Sequence, residues 1–175
     1  RLLADLLDLS VVENGQVNLN LRDGTLRDAL DRAVSAAAIG DDGVQLMIER
    51  DTSREDIVLH TDLDRLSQVF INLIANARKY CDSKTPRLVI RVMKETDRVV
   101  IDFQDNGSGI APDAVDMIFE KFARVSDQKA GGAGLGLAIC RQVMTRLGGS
   151  VDYIPASRGA NFRVVLPYRT AMAAQ

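Results

Sequence analysis

The sequence predicts an α+β fold: a two-layer α/β sandwich in which helices cover one face of a mixed sheet. Three observations carry this expectation. Apolar periodicity switches repeatedly between helical and period-two spacing, in the order αβαββαββααββ. The connections between these segments are short and no internal repeat occurs. The most regular segment, residues 62–80, has a single apolar stripe, so it needs a sheet or another helix to lie on.

Taken in order, Leu2, Leu3, Leu6, Leu7 and Leu9 stand at helical spacing, and Glu13-Asn14-Gly15 supplies a stop. Val17, Leu19 and Leu21 alternate with Asn18 and Asn20, the pattern of a half-buried strand. Thr25 can cap a helix running through Ala38, with Leu26, Leu30 and Val34 on one face and Gly40 after its end. Val44–Glu49 and Ile57–His60 read as short strands around a polar turn. The helix of Asp62–Tyr80 follows, and at about 100° per residue Gln68, Asn72, Asn76 and Lys79 share one polar flank, with Tyr80 at its border. Leu88–Met93 and Val99–Asp105 form a hairpin across Glu95-Thr96-Asp97-Arg98. A short helix is expected from Pro112, a polar loop at 124–133, a helix at Gly134–Leu147 closed by Gly148-Gly149, and final strands at Ser150–Ile154 and Asn161–Leu166.

Composition narrows the function classes. The 175 residues are 46% hydrophobic and 26% charged, which suits a folded domain with a full core. Lys and Arg number 22 against 24 Asp and Glu, so no bulk positive field holds a polyanion, and nucleic acid is not an expected partner. No apolar run approaches the roughly 20 residues of a membrane-spanning helix, so a soluble, cytoplasmic domain is expected. The start at Arg1 reads as a piece of a longer protein, whose parent could be anchored in the inner membrane. Cys81 and Cys140 belong to no metal-ligand spacing and read as reduced packing thiols.

Three segments carry chemistry. Asp105-Asn106-Gly107-Ser108-Gly109-Ile110 ends a strand; its glycines let the backbone approach a flat ligand, while the Asp105 carboxylate can accept from an exocyclic amine. The plainer alternative is an Asx-Gly turn. Gly131-Gly132-Ala133-Gly134-Leu135-Gly136-Leu137 opens a helix, where free N–H groups make an anion cradle; it has neither dinucleotide-fingerprint nor Walker spacing, and the alternative is a hinge. Asn72 and Asn76, one turn apart, could offer carbonyl oxygens to Mg²⁺, and Lys79 a point charge to phosphate, unless the flank is only solvated helix surface.

Together these segments resemble the catalytic ATP-binding domain of bacterial two-component sensor histidine kinases, within the gyrase, chaperone, kinase and mismatch-repair ATPases of the Bergerat fold. Asn72–Tyr80 resembles the N box, Asp105–Ile110 the first Gly box, Phe119-Glu120-Lys121-Phe122 the F box, and Gly132–Leu137 the second Gly box. The resemblance implies ATP and Mg²⁺ as cofactors. It implies that Asn76, with Asn72, holds the metal and that Lys79 approaches the phosphates. Tyr80 would pack near the adenine and Asp105 would read its amino group. Gly107, Gly109, Ile110, Gly132, Gly134, Leu135, Gly136 and Leu137 would line the nucleotide. Residues between the F box and the second Gly box would form a lid, with Arg124 facing the terminal phosphate. In place of the family's frequent Gly-x-Gly-Thr-x-Phe stands Gly159-Ala160-Asn161-Phe162, a departure that leaves a phosphate-facing role there unsupported.

The domain reading is residues 1–14 as the end of a dimerisation and phosphoacceptor hairpin, 15–170 as the catalytic domain, and 171–175 as a tail. The expected activity is transfer of the ATP γ-phosphate to a histidine on a separate or missing dimerisation domain, for relay to a response regulator. His60 lacks the helix context of an acceptor. The chain alone is expected to be monomeric and its parent a homodimer. A hydrolytic ATPase is the alternative enzyme, but Asn72 stands where such relatives carry a glutamate base, and an amide cannot take a proton from water. A degenerate adaptor without ATP is the other alternative.

Overall fold

The computed structural model describes residues 19–37, 45–120 and 136–168. Its elements in chain order are β1 (Arg22–Thr25), α1 (Leu26–Ala37), β2 (Met47–Arg50), β3 (Val58–Thr61), α2 (Leu63–Tyr80), β4 (Arg87–Lys94), β5 (Arg98–Asp105), α3 (Gly136–Arg146), β6 (Ser150–Ile154) and β7 (Asn161–Pro167). The leading leucine-rich segment, Gly40 and the polar loop lie outside the described residues.

The helices obey their local signals. The Thr25 hydroxyl accepts from the Asp28 N–H at 3.2 Å, capping α1. Asp62 caps α2 by accepting from the Arg65 N–H at 3.1 Å, and Asp64 in its first turn and Arg78 and Lys79 in its last complement the helix dipole. In α3 the chain closes through Gly148, at φ +81°, with the Gly149 N–H bonded to the Met144 carbonyl at 2.8 Å, a Schellman end.

Five strands make one mixed sheet in the order β2-β4-β5-β7-β6, parallel only between β2 and β4. The faces divide by period two. Leu88, Ile90, Val99, Ile101, Phe103, Phe162 and Val164 join the buried core with Leu66, Phe70, Leu73 and Ile74 of α2. On the opposite face Arg91, Asp102, Arg163 and Asp152 stand side by side in register across four strands. There Arg163 grips Asp102 through two bonds of 2.8 and 3.0 Å, which raises the Arg163 pKa. Among the described residues helices therefore cover one face only, as the α+β sandwich requires.

Two local expectations are corrected and a third is made more exact. The strand expected at Val17–Leu21 is absent from its described part: Leu19–Leu21 lie outside any strand, and pairing begins at Arg22. The Asn20 N–H is taken by the Asp62 carboxylate at 3.0 Å, so a side chain meets the donor that a ladder would have used. The two strands expected around the polar turn both form, in different sheets: β2 joins the main sheet and β3 pairs with β1. Between them the fully buried Glu55 is clamped by Arg50, which also meets Asp31 at 2.8 Å. A buried carboxylate needs such a partner, and holding it draws 51–57 away from the sheet. The helix expected from Pro112 is a turn leading to a single 3₁₀ turn, Val115–Met117, held by i→i−3 bonds of 2.9 to 3.0 Å.

Candidate functional site

Strand β5 ends at Asp105 beside the start of β7. The half-buried Asp105 carboxylate accepts two backbone N–H groups, from Gly107 at 2.9 Å and Ala160 at 3.1 Å. Both bonds fall on Oδ1, so Oδ2 has no partner among the described residues. Burial pushes the Asp105 pKa above the ordinary carboxylate range, the two N–H donors oppose this, and the charge of Asp82 adds to the rise. The result is a carboxylate with one oxygen fixed by the main chain and one left to accept.

The following loop is shaped by glycine where the backbone demands it. Gly109 has φ +86°, and a Cβ there would come within 3.0 Å of the Gly159 carbonyl oxygen. Gly159, at φ +72°, is tighter still, since a Cβ would sit 1.9 Å from the Asp105 carbonyl oxygen. Asn106 fastens the loop to β4: its side chain accepts from the Arg87 N–H at 2.9 Å and donates to the Thr85 carbonyl at 3.0 Å. Ile110 packs against the core.

The polar flank of α2 faces the start of α3. Asn72, Asn76, Lys79 and Tyr80 are all half-buried on it. The Asn72 amide donates to the Gly136 carbonyl at 3.3 Å, joining the two segments of interest across 64 positions. That bond engages the amide nitrogen, and the same side chain also hydrogen-bonds the Cys140 thiol. Beneath it lies the fully buried Cys140, whose thiol is pushed up to about 12 by burial and touches the Val69 carbonyl at 3.7 Å. A thiol held that firmly protonated is packing, not a nucleophile. The Lys79 ammonium lies 6.0 Å from the Tyr80 ring centroid. Leu137 packs on the core one residue into α3. Phe119 is buried edge-on to Phe162, centroids 6.1 Å apart, with the Arg141 guanidinium 4.0 Å above its ring.

The structure thus brings Asn72 and Gly136 into direct contact, and Asp105, Gly107 and Gly109 into one loop. Arg124, Gly132, Gly134 and Leu135 lie outside the described residues, as do Lys121 and Phe122. The exposed His60 pairs through Nδ1 with Asp23 at 2.9 Å on the β1–β3 ribbon. The sequence reading missed Ala160, which holds Asp105, and Asp82, which holds Ser108. It saw Gly159 only as a departure. A glycine just before a strand was the available signal for Gly159 and Ala160; Asp82 offered none.

Residues 61–170 match the family described as histidine kinase-, DNA gyrase B-, and HSP90-like ATPase. The chain belongs to that family. Among these ATPases it is 34% identical over 173 residues to the sensor protein KdpD of Escherichia coli, covering 98% of this chain and 19% of that protein. A solved structure of full-length ShkA in complex with AMPPNP superposes with a TM-score of 0.78 at 26% identity, over 97% of this chain and 36% of that one. A mycobacterial sensor histidine kinase, MprB, shares the fold at 24% identity and a TM-score of 0.72, over 85% of this chain and 99% of that one. The chain spans between 19% and 28% of the length of the curated relatives it matches. Membership of an ATPase family supports ATP as the ligand. No described helix is long and apolar enough to cross a membrane.

Proposed function

We propose that this chain is the Mg–ATP-binding catalytic domain of a sensor histidine kinase, which donates the γ-phosphate to a histidine on a dimerisation domain for relay to a response regulator. The observation that carries the reading is the Asp105 carboxylate. Its Oδ1 is pinned by two main-chain N–H groups and its Oδ2 meets no donor among the described residues, the acceptor an adenine amino group needs. The Gly107–Gly109 loop admits a flat base close to the backbone. Tyr80 would pack near the adenine.

At the phosphate end the donor set suits Mg²⁺, a hard ion that takes a few neutral oxygens and keeps its waters and its phosphate ligands. Asn76 and the carbonyl oxygen of Asn72 would hold it, and the ion would neutralise charge on the transferring phosphate. Lys79 adds a cation on the same flank. Gly132, Gly134, Leu135, Gly136 and Leu137 would line the phosphates and Arg124 would face the terminal one. Phosphoryl transfer is mainly positioning and charge neutralisation, so these groups suffice without an acid or base of their own. Asn72, an amide bonded to a main-chain carbonyl, gives no base to take a proton from water for rapid ATP hydrolysis.

The nucleophile lies outside this machinery. Exposed His60 is paired with Asp23 on a ribbon of two strands, so it is not proposed as the acceptor. Residues 1–14 would belong to the dimerisation and phosphoacceptor hairpin, 15–170 to the catalytic domain and 171–175 to a tail. The domain would work in the cytoplasm, as part of a homodimeric parent, and the isolated chain would be monomeric.

The test mixes this chain with Mg–ATP and a separately made hairpin domain of its parent. Acid-labile phosphohistidine should appear on the hairpin, and none on the chain alone. Label on His60 that vanishes in His60→Gln would instead make the chain a self-contained kinase.

A further inference from the structure

Asp82 stands two residues past the end of α2, on the surface, and both its carboxylate oxygens meet one residue of the first glycine loop. Its Oδ1 accepts the Ser108 backbone N–H at 2.8 Å, and its Oδ2 accepts the Ser108 hydroxyl at 2.6 Å. One side chain therefore satisfies both donors of one loop residue. The residue before it makes a parallel link, the Cys81 thiol donating to the Asn106 Oδ1 at 3.3 Å.

The loop lies flush against this clamp. A Cβ on Gly107 would stand 3.0 Å from Asp82 Oδ1, 3.3 Å from the Asp82 nitrogen and 3.3 Å from Asp105 Oδ1. Asp82 thus bears on the residue whose N–H pins Asp105, and it does so from the end of the helix that carries Asn72, Asn76, Lys79 and Tyr80. Nothing about the buried core requires the contact, because both Asp82 and Ser108 are exposed.

We propose that Asp82 is a positioning residue for nucleotide binding: by clamping Ser108 it fixes the loop after Asp105 to the end of α2, so that the base-side acceptor and the helix flank are presented in one geometry. This rests on the reading of the Asp105 strand end as the adenine side of the site and adds to it a residue that never touches the nucleotide. The clamp acts by geometry, not charge. Its negative charge raises the Asp105 pKa and so opposes the ionised acceptor, which means that geometry has to supply the benefit.

The test titrates Mg–ATP and Mg–ADP by calorimetry into the wild-type chain, Asp82→Ala, Asp82→Asn and Ser108→Ala, with a melting curve for each. Asp82→Ala loses both bonds and should weaken both nucleotides by the same factor, about tenfold. A base-side defect does not distinguish two phosphates from three. Asp82→Asn keeps an oxygen for the Ser108 N–H and an amide that donates to its hydroxyl oxygen, so it should bind within about threefold of wild type. In the Asp82→Ala background Ser108→Ala should add nothing, since their shared contact is already gone. Equal weakening by Asp82→Asn and Asp82→Ala would overturn the clamp, because Asn keeps the contact, and unchanged affinity in Asp82→Ala would overturn it outright. Should Asp82→Ala melt during the titration, Ser108→Ala decides: a few-fold loss supports the clamp and none refutes it. A wild-type chain that binds neither nucleotide would refute the nucleotide reading itself, and the clamp with it.

Discussion

The two ends of the site are built differently. At the Asp105 end nearly every constraint is main chain: two N–H donors on one carboxylate oxygen, glycines at φ +86° and +72°, and Asn106 stitched to Thr85 and Arg87. At the Asn72 end the functional groups are side chains on one helical flank, and it is the Asn72 side chain that reaches the Gly136 carbonyl of the next element. A base is flat and always the same, so its pocket can be rigid. Phosphates and a hydrated ion need side chains that adjust as they bind and leave. Substitutions that disturb the main chain at the first end should therefore cost stability, and those of metal-side groups such as Asn76 chiefly function.

The largest effect is expected from Gly159→Ala. Its Cβ would overlap the Asp105 carbonyl oxygen and its φ of +72° disfavours any side chain, so the strand end must shift. A loss of roughly 2–4 kcal/mol in thermal or urea unfolding is expected, with nucleotide affinity falling as well. A wild-type melting temperature would show that the main-chain end is not rigid.

Next comes Asp105→Asn. Asn keeps an Oδ1 for Gly107 and Ala160 but places an amide where Oδ2 accepted, so ATP affinity should drop by about 1.5–3 kcal/mol without loss of fold. Calorimetric titration checks this; unchanged affinity with an unchanged melting curve would remove Asp105 from the site.

At the other end, Asn76→Ala should abolish the Mg²⁺ dependence of nucleotide binding more completely than Asn72→Ala. Asn72→Ala should in turn cost about 1 kcal/mol of stability, because it leaves the Gly136 carbonyl without its donor. Binding measured with and without Mg²⁺, alongside urea unfolding, separates the two, and equal Mg²⁺ dependence in wild type and Asn76→Ala would erase the distinction between the ends.

The smallest effect is in pH. Burial raises the Asp105 pKa above 3.8, so the folded chain binds this proton more readily than the unfolded chain. The stability associated with this group is full below the ordinary carboxylate range and is lost as pH rises through the raised value. Asp105→Asn should therefore melt no lower than wild type at neutral pH. Adenine affinity runs the opposite way: it needs the ionised acceptor and should fall as pH falls toward that raised value, a trend absent in Asp105→Asn.

Much of the fold was legible because local chemistry and tertiary need agreed. The Asp62 cap, the stripe of α2 and the β4–β5 hairpin are written in residues that act over a few positions, and the core they predict is the core that forms. The candidate groups were legible as types: a carboxylate after a strand, glycines after it, two amides one turn apart. Sequence by itself thus determined the sandwich, the helix flank and the strand end, because capping, periodicity and glycine freedom are local. Tertiary structure alone decided that β3 leaves the main sheet to pair with β1, that Asn20 spends its N–H on Asp62, and that Gly159 lies against Asp105. It also decided that Asp82 reaches Ser108. Each of these is a contact between residues 26 to 54 positions apart or a choice among competing partners, and no period or spacing along the chain encodes which distant group arrives first.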